Sequence, residues 1–237
     1  MKNKLYFLAF SAILFSLSAC DFNCIEGSGN QVTKDRNVEA FSKVDFGGSI
    51  KMKIRQDSSY SMRITADDNI QKEILTRVKG DVLEIKMKGN FCNTGEIIIE
   101  LGSKKWNGID ASGSTQIISE NQINTDDFML DLSGSSKVDL DIVTGNLKTS
   151  SSGASKINLK GQARQHDVDL SGSAEINAYD FVVSDYRIES SGASNCNINV
   201  LNSLKVNSSG ASKILYKGNP KDIANEKSGA STLKHVE

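Results

Sequence analysis

The sequence predicts an all-β protein, a β-solenoid wound in coils of about 19 residues with a short helix in its N-terminal half. Three observations carry this. The tripeptide Ser-Gly-Ala/Ser recurs at near-constant spacing, apolar and polar residues alternate on both sides of it, and β-branched residues dominate the apolar positions. Alternation with a period of two is what a strand buried on one face requires.

The repeat runs from about residue 109 to 233. Its glycines are Gly113, Gly134, Gly153, Gly172, Gly192, Gly210 and Gly229, separated by 21, 19, 19, 20, 18 and 19 residues. The residue before each glycine is Ser. Two places after it the residue is small: Thr115, Ser136, Ser155, Ala174, Ser194, Ser212 and Ser231. Four places after it the residue is apolar: Ile117, Val138, Ile157, Ile176, Cys196, Ile214 and Leu233. One strand of this length cannot bury its own apolar side, whereas coils stacked at ~4.8 Å build a continuous core and pair their backbones. The small position marks where the coil wall closes in, and glycine lets the chain bend there. A helical repeat fails because glycine recurs inside every unit, and the Leu-x-Leu and Asn signature of a leucine-rich horseshoe is missing.

The N-terminal half reads as less regular β structure. Ile50, Met52 and Ile54 alternate with Lys51, Lys53 and Arg55. A turn at 56–59 and the alternation of Tyr60, Met62 and Ile64 then predict a hairpin. Asp67-Asp68-Asn69 ahead of Ile70 to Ile74 reads as an N-cap and a helix of two turns. Strands follow at 82–88 and 97–99. No proline precedes Pro220, so residues 37–237 are expected to form a single domain.

Residues 1–19 read as a lipoprotein signal peptide: Lys2 and Lys4, an apolar stretch from Leu5 to Leu17, then Leu17-Ser18-Ala19-Cys20. The Cys20 thiol is the candidate lipidation site, since two or three acyl chains hold a protein on a membrane where one does not. Residues 20–36 then form an N-terminal arm. Processing leaves 26 basic against 29 acidic side chains, a charge of −3, without the basic face a nucleic-acid partner wants. Export places Cys24, Cys92 and Cys196 in an oxidising compartment. Cys24 and Cys92 lie in irregular Gly/Asn-rich stretches and are the candidates for a bridge, two unpaired thiols being the alternative. With two histidines and no Cys-x-x-Cys spacing, neither a metal site nor a cofactor is expected.

Cys24-x-x-Gly27-Ser28-Gly29-Asn30, Phe41-x-x-Val44 leading to Gly48-Ser49-Ile50, and the Ser-Gly-Ala/Ser units together resemble the auto-transporter adhesin "head GIN" family. The resemblance covers about residues 24 to 237. It implies a right-handed parallel β-helix in an envelope lipoprotein of the Bacteroidetes, lipid-anchored at the outer membrane. It supplies no catalytic residues, the family being a domain of unknown function.

A β-helix also hosts polysaccharide lyases and glycosidases, which need paired carboxyls. Asp139 and Asp141 are the candidates, with Asp167 and Asp169 a second pair; Asn158, Asn177 and Asn197 at similar places suggest a polar ladder instead. Lys137, Lys156 and Lys213 form a partial basic stripe suited to anionic glycans or lipid head groups. His166 falls in an apolar row and reads as packed, and Cys196 reads as a buried thiol standing in for Ile. The function expected is a non-enzymatic, adhesin-like envelope lipoprotein with a glycan or protein ligand. The alternatives are a carbohydrate-active β-helix enzyme and a periplasmic lipid-binding protein. Pairing of exposed edges makes a homo-oligomer a candidate assembly.

Overall fold

The computed structural model describes residues 24–237. The signal peptide and Cys20 lie outside them. The described chain is all-β. Its strands are β1 (Cys24–Glu26), β2 (Gln31–Arg36), β3 (Lys43–Gln56), β4 (Ser61–Asp67), β5 (Ile74–Lys79), β6 (Val82–Met87), β7 (Asn90–Cys92) and β8 (Ile98–Ser103). They continue as β9 (Gly108–Ser119), β10 (Ile123–Ser190), β11 (Asn195–Gly210), β12 (Lys213–Lys217), β13 (Asp222–Gly229) and β14 (Thr232–His235).

Strand β10 has 68 residues and would run more than about 200 Å if straight. It bends and lies on itself instead. A Cβ built on Gly153 would strike the backbone of Gly134, and one on Gly172 the backbone of Gly153. The same stacking joins the neighbouring strands in parallel register. Gly48 of β3 lies beside Gly113 of β9, Gly113 beside Gly134, and Gly210 beside Gly229. Each turn of the chain is therefore one rung, set glycine over glycine on the last.

Strand β3 thus belongs to the stack as the rung before the first tripeptide. Beyond it, β6 pairs parallel with Lys43–Phe46 and β8 with Lys51–Gln56. That end is closed by antiparallel strands: β5 on β6, β4 on β8, and β2 on β4. The sheet is mixed and open, and β1 with β7 forms a separate two-stranded parallel ribbon.

Two N-terminal expectations need correction. Strands β3 and β4 are not a hairpin, because β8 inserts between them, parallel to one and antiparallel to the other. The next rung on a parallel stack has to run parallel, and β4 runs the wrong way to supply it. The two-turn helix is a single 3-10 turn, Ile70–Lys72. Ile74 already opens β5 opposite Met87, so sheet pairing overrides the local helix signal. Asn69 makes no cap bond; it accepts from the Ser28 amide and donates to the Glu26 carbonyl, tying down the N-terminal arm.

The apolar rows meet inside. Ile117, Val138, Ile157, Ile176, Cys196 and Ile214 are all buried, as are Ile109, Leu130, Val168, Ile188 and Val206. At the narrow corner by the glycines the wall is lined with small side chains, most of whose hydroxyls satisfy one another, Ser194 Oγ being buried without a partner among the described residues. Thr115 donates to Ser136 at 3.0 Å, Ser190 and Ser212 lie 2.8 Å apart, and Ser151 pairs with Ser155. A larger side chain would not fit there, and an unpaired hydroxyl would carry a desolvation cost.

Candidate functional site

The structure places the sequence-derived candidates on the outer faces and shows what holds them. Asp139 Oδ1 accepts a hydrogen bond from Asn158 Nδ2 at 2.6 Å. Asn177 then donates to Asn158 at 3.1 Å and Asn197 to Asn177 at 2.9 Å. Asp139 is the terminal acceptor of an amide ladder that crosses four rungs. Asp141 accepts from Gln122 at 3.0 Å, and its backbone amide donates to Ser119 Oγ at 2.8 Å. Both carboxylates are occupied as acceptors and half-buried. A retaining or inverting pair needs one carboxyl free to donate a proton and a gap for the sugar between the two.

Lys137, Lys156 and Lys213 are exposed at equivalent places in their rungs. Lys156 Nζ contacts both oxygens of Glu175, at 3.1 and 3.2 Å, so the stripe is neutralised in its middle. His166 is wholly buried: Nε2 lies 2.9 Å from Thr149 Oγ1, and its ring packs against Phe181 and Tyr186 at 5.8 and 5.0 Å. Burial pushes the imidazole down to about 3 from 6.5 and the Cys196 thiol up to about 12. Neither group is placed to act as base or nucleophile at neutral pH.

Two features escaped the sequence reading. The first is an acidic row on the strand before the glycine corner. Glu84, Asp45, Asp110 and Asp131 are direct cross-strand neighbours on four successive strands. The Asp110 carboxyl is raised, first by burial and then by the charges of Asp45 and Asp131. Tabulating the third residue before each glycine would have found part of it: Asp110, Asp131, Asp169, Glu189 and Glu226 share that position. No group of three or more His, Cys, Asp or Glu among the described residues is arranged to hold a metal ion.

The second is a groove of about 720 Å³ beside the β1–β7 ribbon. Cys24 and Cys92 are joined there by a disulfide, with Cα atoms 5.8 Å apart. The groove is lined by Lys51, Met87, Phe91, Thr94, Glu96 and Gln116, among others, with Lys51 Nζ 3.5 Å from Glu96. No helix among the described residues is long and apolar enough to cross a membrane.

Comparison with known proteins agrees with this geometry. A "putative adhesin" from Bacteroides fragilis superposes with a TM-score of 0.79 at 23% identity, over 90% of this chain and 100% of that one. A "putative lipid binding protein" from Parabacteroides distasonis gives 0.72 at 20% identity, over 90% and 99%. A "putative adhesin" from Parabacteroides merdae gives 0.70 at 23%, again over 90% and 99%. At these identities the likeness shows the fold alone. No curated protein matches the chain. The family model described as "Putative auto-transporter adhesin, head GIN domain" matches residues 40–220, and the chain belongs to that family.

Proposed function

We propose that this head GIN family member is an exported envelope lipoprotein that works as an adhesive rod and catalyses no reaction. Residues 1–19 direct export, Cys20 carries the acyl anchor at the outer membrane, and residues 20–36 form the arm. Residues 37–237 form one right-handed parallel β-helix. The observation that supports this most is the glycine-over-glycine register, which repeats each outward side chain at the rung spacing of ~4.8 Å. Such a surface matches a polymeric ligand, glycan or protein, unit by unit. The engagement of Asp139 and Asp141 in structural hydrogen bonds speaks against a carbohydrate-active enzyme.

Lipid binding, which is said of the Parabacteroides distasonis protein, would need apolar space. The coil interior here is filled by the buried rows. The test is an array of immobilised glycans and matrix proteins probed with the purified chain, beside polysaccharide-cleavage assays and native mass spectrometry for copurified lipid. The expected result is saturable binding with no product formed. Cleavage that disappears in an Asp139→Asn, Asp141→Asn double variant, or stoichiometric bound lipid, would replace the adhesive reading.

A further inference from the structure

We infer that the groove beside the Cys24–Cys92 bridge is a binding site for a short neutral oligosaccharide. This deepens the adhesive reading and rests on it. Along the stack, the glycine corner of one rung is covered by the corner of the next: a Cβ on Gly134, Gly153 or Gly172 would meet the preceding glycine's backbone. On the far side of β3 that covering stops. The ladder to β6 ends at Phe46 opposite Ile85, and the ladder to β8 begins at Lys51 opposite Ile98. From Gly47 to Ile50 the strand has a ladder partner on its β9 side only. The chain that would have covered it leaves after Met87, forms β7 against β1, is fastened by the disulfide, and returns at Ile97. A rung has in effect been opened, and the ribbon that forms one side of the opening is fastened within itself by a covalent tie.

The opening of about 720 Å³ falls within the roughly 300–1,000 Å³ of small-molecule sites. Its lining combines two apolar surfaces, Phe91 and Met87, with an amide at Gln116 and a hydroxyl at Thr94. That pairing suits a sugar, whose C–H face packs on a ring while its hydroxyls take planar amide and hydroxyl partners. The charged residues Lys51 and Glu96 face each other at 3.5 Å. Each thus has a partner already, so the groove offers an ionic ligand no unpaired charge, and a neutral one leaves the pair intact. The bridge and the ribbon fix the walls before the ligand arrives, which lowers the ordering cost of binding.

The full chain is titrated calorimetrically with cellohexaose, maltohexaose, xylohexaose, mannohexaose and N-acetylchitohexaose, and with hexagalacturonate as the anionic comparator. At least one neutral hexasaccharide is expected to bind one to one, and hexagalacturonate more weakly. Ser49→Trp fills the opening from an exposed lining position, and Gln116→Ala removes the amide. Each should weaken binding roughly tenfold or more, the worth of about one good polar contact. Lys137→Ala, on the outer stripe, should leave it unchanged, and all three variants should melt as the parent does. The inference is overturned if no neutral hexasaccharide binds, if hexagalacturonate binds best, or if the groove variants bind like the parent. A chain that fails these titrations yet still binds an arrayed glycan or matrix protein keeps the adhesive reading and loses this site; loss of all binding removes both.

Discussion

Replacing His166 by Phe should make the protein resistant to mild acid. In the fold the ring is wholly buried, bonded to Thr149 through Nε2, and Nδ1 finds no partner among the described residues. Burial holds its pKa at about 3 against 6.5 for the free side chain. The unfolded chain therefore binds a proton that the folded chain refuses, and stability must fall as pH drops from about 6.5 toward 3. The loss is about 2 kcal/mol by about pH 5 and about 4 kcal/mol by about pH 3, at about 1.4 kcal/mol for each pKa unit. Phe suits the row, since Phe128 fills the equivalent place in another rung. It strands the Thr149 hydroxyl at a pH-independent cost of about 1 kcal/mol. Urea unfolding followed by far-ultraviolet dichroism at about pH 7.5 and pH 5 reads the difference. His166→Phe should lose about 2 kcal/mol less than the parent between those two values. Superimposable pH profiles would mean that the ring is protonated in the native state, and so is not enclosed between rungs.

Three further outcomes follow from the same geometry. Gly172→Ala should cost about 2–4 kcal/mol in urea unfolding, because its φ is +142° and a Cβ would strike the backbone of Gly153; a change below about 0.5 kcal/mol would contradict the glycine stacking. Asp110→Asn should stabilise the fold by roughly 0.2–1 kcal/mol at neutral pH by removing a like-charge contact. Because the fold raises the Asp110 pKa, protonation favours the folded state, so the variant's advantage should shrink as pH falls through the carboxylate range; an advantage that grows in acid would contradict the row. Cys24→Ser opens a crosslink spanning 68 residues and should cost about 2–4 kcal/mol, read as a lower Tm and as earlier proteolysis of the arm, with no effect if the ribbon is held by its hydrogen bonds alone.

The repeats were legible because every rung solves the same packing problem with the same residue types. Ser155 and Ser212 mark the narrow corner and Ile157 and Ile214 the core, whatever their neighbours. Glycine was legible as a bend, but its second reason lay in the next rung: backbone meets backbone there, and a Cβ has no room. Strand β3 shows its alternation in the sequence but not its place as a rung, because the capping strands β4 to β8 separate Gly48 from Gly113 in sequence while register joins them in space. The 3-10 turn at Ile70–Lys72 carries a helix signal in the sequence because Ile74 shows its preference for sheet only once β6 is alongside. The amide ladder from Asp139 to Asn197 could be foreseen from spacing. The groove could not, since it exists where a ladder is interrupted, and an interruption leaves no repeating mark.

The rung stacking on which all of this depends is tested most directly by distances between spin labels. Labels go on exposed residues just after the glycines, with Ser114 paired in turn with Ala154, Ser173, Ala193 and Ala211. The account predicts separations rising in even steps of ~4.8 Å, from about 10 Å to about 24 Å, before allowance for the label arms. Separations that fail to rise in order of rung, or that rise with the number of intervening residues as along an extended chain, would contradict it.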